Sequence, residues 1–182
     1  MVRDLAELDS CARCSLATTR TRVVIGSGPS PARLMVIGEA PGATEDEGGE
    51  PFTGRSGQLL VRLLDEELGL SREDCFITNV VKCRPPRNRR PSALEVTTCR
   101  PWLEEQWRLV APRVVLVLGN TAARAVLGLD EGISRCHGRV VELDEVAALA
   151  TYHPAAALRG GPNVVGVIRE DLGIVRALLE RA

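Results

Sequence analysis

"RLMVIGEAPGATEDEGGEPFTG", residues 33–54, opens with Leu34, Met35, Val36 and Ile37 in unbroken succession. A strand with one wet face alternates apolar and polar residues; an uninterrupted apolar run needs cover on both faces, as in a parallel sheet between helices. Three further runs read the same way: "CFITNVV" (75–81), "RVVLVLG" (113–119) and "VAALATY" (146–152), with "GRVVEL" (138–143) as a possible fifth. Helical patterns separate them. "SGQLLVRLLDEEL" (56–68) sets Leu59, Leu60, Leu63, Leu64 and Leu68 on one face. "SALEVTTCRPWLEEQWRLV" (92–110) starts with Ser92 and Glu95 at capping-box spacing, and Pro101 is expected to kink or divide it. "NTAARAVLG" (120–128) starts at an Asn cap, and "GVIREDLGIVRALLERA" closes the chain as an amphipathic helix. The expected fold is α/β: a single domain over residues 1–182, a three-layer α/β/α sandwich around a central, mostly parallel sheet of four to five strands.

Gly38–Gly54 holds five acids, five glycines and one phenylalanine, and reads as a loop rather than a helix or strand. It is no phosphate cradle. The P-loop ends in Gly-Lys-Ser/Thr, this loop has no lysine, and G-x-G-x-x-G is absent from it. In open α/β sheets ligands bind beyond the carboxyl ends of the strands. Glu39 onward, Asn79, Gly119-Asn120 and His153 all fall there, which points to one site.

Composition excludes several classes. The 182 residues are 45% hydrophobic and only 3% aromatic, so the core is built from Val, Leu, Ile and Ala. No apolar run approaches the roughly 18 residues of a membrane span. "MVRDLAELDSCARC" has no apolar signal region, so a cytoplasmic protein is expected. The net charge of −1 argues against indiscriminate nucleic-acid binding, but the charge is unevenly spread. Five acids and no base lie between Glu39 and Glu50; five bases and no acid lie between Lys82 and Arg90. Of 23 basic residues only Lys82 is a lysine. Arginine suits phosphate contacts, although a GC-rich genome produces the same bias.

Six cysteines in a cytoplasmic chain invite a metal reading, since disulfides are uncommon there. Cys11 and Cys14 form a tight C-x2-C pair, while Cys83 and Cys99 are widely spaced. The pattern admits zinc or an iron–sulfur cluster. Cys75, inside a strand pattern, and Cys136 read as small buried hydrophobes.

Together these residues resemble the family 4 uracil-DNA glycosylases, the iron–sulfur branch of the uracil-DNA glycosylase superfamily. "GEAPGATEDEGGEPFTGRSGQLL", "ITNVVKCRPPRNR" and "TYHPAAALR" look like that family's motifs in order, over nearly the whole chain. The resemblance implies a structural [4Fe–4S] cluster on Cys11, Cys14, Cys83 and Cys99. It implies a monomer acting on uracil-containing DNA, away from membranes, which takes the base out of the stack into a pocket. Phe52 would stack on uracil, with Ala40 and Gly42 beside it. Asn79 would read the base through its amide, which offers both a donor and an acceptor. His153 would stabilise negative charge on the departing base. Glu39 would orient the attacking water, and Glu45 would lie near uracil C5; Asp46, Glu47 and Glu50 are expected on a solvated loop face. Arg84, Arg87, Arg89 and Arg90 would contact phosphates. Leu158 would act as a wedge in the minor groove beside Arg159, a phosphate contact. A cross-linking relative carries a nucleophilic histidine between the third and fourth cysteines; none stands between Cys83 and Cys99, so no covalent adduct is expected. The rival is a non-catalytic iron–sulfur or zinc DNA-binding protein; an electron carrier leaves Asn79 and His153 unexplained.

Overall fold

A computed structural model describes residues 5–181 and gathers five strands into one sheet. These are β1 (Leu34–Gly38), β2 (Cys75–Asn79), β3 (Val114–Leu118), β4 (Val140–Leu143) and β5 (Val146–Thr151). Their order is β2-β1-β3-β5-β4, parallel throughout except for β4, which lies antiparallel on the edge. Every residue of β1, β2 and β3 is buried, as their unbroken apolar composition demands. Edge strand β4 is only half covered. At the other edge Ser27 bridges to Ile77 through a reciprocal pair of backbone hydrogen bonds of 3.0 and 2.8 Å.

The helices are α1 (Ala43–Gly48), α2 (Arg55–Leu68), α3 (Ala93–Val110), α4 (Asn120–Leu127), α5 (Ile133–Cys136), α6 (Pro154–Gly160) and α7 (Pro162–Arg181). Successive side chains of a strand point to opposite faces. Met35, Ile37, Val115 and Val117 therefore pack with Trp102, Ala122 and Leu127 of α3 and α4. Leu34, Val36, Val114 and Leu116 pack instead with the α2 leucines and with Ile168, Leu172 and Val175 of α7. Two apolar layers flank one sheet, the expected sandwich.

Three local expectations are corrected. Pro101 neither ends nor divides α3, which runs unbroken through it, anchored by the capping box at its start and by buried Trp102 and Leu103. Asn120 does not cap α4; Gly119 holds that position, and Asn120 Oδ1 accepts the Ile133 N–H at 2.7 Å. The acidic stretch contains a short helix after all, α1, because its acids are partnered: Glu45 reaches back to the Gly42 N–H at 3.1 Å, and Asp46 accepts the Thr21 N–H at 2.9 Å. Asp46 is accordingly buried rather than solvated, while Glu47 and Glu50 are exposed. Among the described residues no helix is long and apolar enough to cross a membrane.

Candidate active site

The carboxyl ends of β1, β2, β3 and β5 open into a cavity of about 540 Å³. Its walls include Glu39, Ala40, Gly42, Glu45, Phe52 and Asn79. Across from them stand Gly119, His153 and Arg159, with Arg89 and Arg90 at the rim. The fold thus brings together every residue expected at the base pocket. The loop after β1 is tied to the loop after β2, where the Val80 N–H donates to the Gly38 carbonyl at 2.9 Å and the Val81 N–H to the Glu39 carbonyl at 3.2 Å.

Asn79 ends β2 and is 2% exposed, and its Oδ1 is buried with no hydrogen-bond partner. An unsatisfied buried acceptor costs about 1–3 kcal/mol, so it marks a place where a donor is due. Gly38 is needed beside it. A Cβ there would fall 2.4 Å from Asn79 Oδ1 and 2.5 Å from Phe52 Cζ.

Phe52 sits in the left-handed region at φ 55°, packs into the core at 6% exposure and still lines the cavity. Its ring stacks against the His153 imidazole, with centroids 5.6 Å apart and planes 27° from parallel. Such a backbone costs of order 1–3 kcal/mol and persists only where its surroundings dictate it. Arg72, in the turn before β2, supplies that hold. Its guanidinium donates to the Pro51 carbonyl, to the Phe52 carbonyl at 3.3 Å, to Ser27 Oγ at 3.1 Å and to Glu50 at 3.0 Å. Glu45 completes the frame: one carboxylate oxygen takes the Gly42 N–H and the other the Gly54 N–H, both at 3.1 Å.

His153 caps α6, its Nδ1 accepting the Ala155 N–H at 3.1 Å. An accepting Nδ1 leaves the proton of the neutral ring on Nε2. Burial, helped by the nearby positive charge of Arg159 and opposed by Glu45, pushes its pKa down to about 4. His137 lies 3.1 Å by Nδ1 from buried Asp171; the other Asp171 oxygen accepts the Thr151 hydroxyl at 2.5 Å. This network fixes the end of β5 two residues before His153.

The basic loop divides in function. Arg87 and Arg90 are exposed, and Arg84 donates to Asn88 at 2.7 Å. Arg89 is not a free phosphate contact: its fork grips Glu95 at 2.6 and 2.8 Å. Glu95 also accepts from the Ser92 N–H and the Ser15 hydroxyl, and Arg89 chiefly holds its carboxyl down at about 2. Lys82 is no part of the basic surface, being fully buried. Leu158, 47% exposed, and Arg159 lie on α6.

Cys11, Cys14, Cys83 and Cys99 line one small cavity with Leu8 and Arg20. None of the six cysteines is paired in a disulfide. Among the described residues no group of three or more His, Cys, Asp or Glu is arranged around a single ion. Four cysteines lining one cavity are a donor set of the kind that holds an iron–sulfur cluster or a zinc ion. Arg20 donates to Cys83 Sγ at 3.4 Å. Burial pushes the Cys83 thiol up to about 11 and raises Cys99 as well, so these groups become thiolates when a metal supplies the charge. Burial likewise lowers the Lys82 ammonium to about 7, against the upward pull of Cys99 and Cys83.

The family model for the uracil DNA glycosylase superfamily matches residues 25–172. A type-4 uracil-DNA glycosylase of Sulfurisphaera tokodaii is 40% identical over 180 residues, covering 94% of this chain and 81% of its own. One from Archaeoglobus fulgidus is 44% identical over 160 residues, 84% of this chain and 80% of its own. One from Thermotoga maritima is 37% identical over 174 residues, 94% and 90% of the two chains. With that breadth of similarity, and with the site where the superfamily match runs, the chain belongs to the type-4 branch of the uracil-DNA glycosylase superfamily.

Proposed function

We propose that this chain is a uracil-DNA glycosylase: it takes uracil out of the DNA stack, hydrolyses the N-glycosidic bond, and leaves free uracil and an abasic site for base excision repair. The observation that carries the reading is the buried, unpartnered Oδ1 of Asn79 in a cavity roofed by an aromatic ring. Uracil brings what that atom lacks. Its N3–H donates to Oδ1, while its O4 accepts from the amide nitrogen. Cytosine presents an acceptor at N3 and would leave the buried amide unsatisfied.

The remaining roles follow from placement. Phe52 stacks on the flipped base, in contact with Gly38, which has no room for a side chain. Departure of the base puts negative charge on N1 and O2. Neutral His153 donates its Nε2–H to that oxygen, with no protonation needed beforehand. Glu39, half-buried at the cavity wall, orients the attacking water and stabilises the cationic sugar. Ala40 and Gly42 line the base, and Glu45 braces the loop around it. Arg84, Arg87, Arg90 and Arg159 bind phosphates, and Leu158 enters the space the base leaves. The enzyme works as a cytoplasmic monomer of one domain and forms no covalent adduct.

A structural [4Fe–4S] cluster fits Cys11, Cys14, Cys83 and Cys99. When bound it cross-links the N-terminal segment, the basic loop and α3. A binding protein without catalysis would have no use for an unpartnered Asn79 Oδ1 and a neutral His153 lining one cavity, so that alternative is not favoured.

The test is incubation with a uracil-containing oligonucleotide, then alkali and a denaturing gel. Wild type cleaves the strand, Asn79→Asp loses or redirects base selectivity, and His153→Ala slows release by roughly 10²–10³, the scale of one oxyanion donor. Intact DNA despite measurable binding would leave a DNA-binding module, and protein fixed to the DNA would overturn simple hydrolysis.

A further inference from the structure

The one lysine in a chain with 22 arginines is fully buried. Its ammonium donates to three neutral acceptors: Thr78 Oγ1 at 2.7 Å, the Asn79 backbone carbonyl at 2.6 Å and Gln106 Oε1 at 2.6 Å. Gln106 is itself oriented by donating to the Ile25 carbonyl at 2.6 Å. Among the described residues no carboxylate makes an ion pair with Lys82. A buried ammonium with no counter-charge is expensive, and its hydrogen bonds alone do not offset that cost. The groups nearby that can carry negative charge are sulfurs. Cys83 is the next residue, and the Lys82 backbone N–H donates to the Cys99 thiol.

One side chain therefore stands between two centres. Toward the pocket it holds the backbone carbonyl of Asn79, the residue with the orphan amide oxygen. Toward the other side the residue adjoins two of the four clustered cysteines, Cys83 as its neighbour in the chain and Cys99 through its backbone N–H. We propose that Lys82 is a positioning residue that couples the cysteine centre to the base-reading amide, its charge balanced by thiolates while its hydrogen bonds pin Asn79. This rests on the cluster and the Asn79 role given under Proposed function. The residue type fits the task. An ammonium is a compact tripod of donors that serves three convergent acceptors, whereas the planar, wider guanidinium fork does not.

The holo-protein is compared as wild type, Lys82→Met and Thr78→Val, with two readouts: the cluster midpoint potential, and steady-state kinetics on a uracil-containing oligonucleotide. Removing a positive charge beside the cluster disfavours an added electron, so Lys82→Met lowers the midpoint. It also raises KM, by roughly tenfold for a loosened recognition hydrogen bond, with a smaller change in kcat. Thr78→Val removes one acceptor but keeps the charge; it raises KM less and leaves the midpoint at the wild-type value. If Lys82→Met does not fold, Thr78→Val and Gln106→Leu carry the test, both with raised KM and unmoved midpoint. An unmoved midpoint in Lys82→Met, or wild-type KM in these variants, overturns the coupling. Wild type that releases no uracil overturns the glycosylase reading itself; active wild type beside an unaffected Lys82→Met overturns the coupling alone.

Discussion

At His153 two constraints act on one ring. The backbone N–H of Ala155 needs an acceptor at Nδ1, and the surrounding protein disfavours charge, so both keep the imidazole neutral with its remaining proton on Nε2. The folded-state pKa of about 4 lies below the ordinary 6.5. Between those values the unfolded chain binds a proton that the folded chain refuses. The contribution to stability is therefore complete above about pH 6.5 and is lost progressively as pH falls toward 4. The catalytic role proposed for His153 predicts the same window for base release. Single-turnover base release is expected to show no inflection near pH 6.5 attributable to His153, and to decline only as the pH approaches 4. A step near 6.5 that disappears in His153→Gln would show that the ring titrates normally and that the charged form matters.

A single side chain also organises an element. Arg72 straps the segment Glu50–Phe52 to the turn before β2 and to Ser27, and so holds Phe52 in its left-handed backbone. Arg72→Ala is expected to cost about 2 kcal/mol of stability, the range of hydrogen bonds to a charged group, and to raise KM for uracil-DNA; thermal unfolding and steady-state kinetics check it. Unchanged kinetics beside lowered stability would reduce the strap to a structural tie. Nothing local announces Arg72, which stands in an ordinary charged turn, "SREDC". By contrast the strands were legible, because an unbroken apolar run has few other uses. The start of α3 was legible too: Ser92 Oγ accepts the Glu95 N–H at 3.3 Å and Glu95 accepts the Ser92 N–H at 2.7 Å, the reciprocal pair the spacing implied. Burial of Asp46 depends on Thr21 and the tripod around Lys82 on Gln106, both more than twenty residues away, and the Arg89–Glu95 pair, though only six residues apart, follows no helical or strand period. Lys82 did carry a signal in being the sole lysine, but only the fold says what it touches.

Across the whole molecule, the sheet and its two apolar layers are built without any ligand on Cys11, Cys14, Cys83 and Cys99, whereas the basic loop is the segment that the proposed cluster would tie down. Cys11 and Cys14 lie before the first strand, Cys83 opens the basic loop, and Cys99 sits on α3. The sheet's neighbouring strands are instead held by continuous parallel ladders and by cores on both faces. With the proposed cluster in place, removal of its iron should therefore act regionally. With the cluster stripped by a chelator, hydrogen exchange is expected to accelerate over residues 8–20 and 82–92, while β1 and β3 keep their protection. Affinity for DNA should fall, and its dependence on salt should flatten, because Arg84, Arg87 and Arg90 would no longer be presented together and fewer phosphates would be neutralised. Uniform loss of protection across the sheet would show that the cluster supports the entire fold. Unchanged exchange in both segments would show that the Ser15, Arg89 and Glu95 bonds and buried Leu8 and Leu16 already hold that corner without iron.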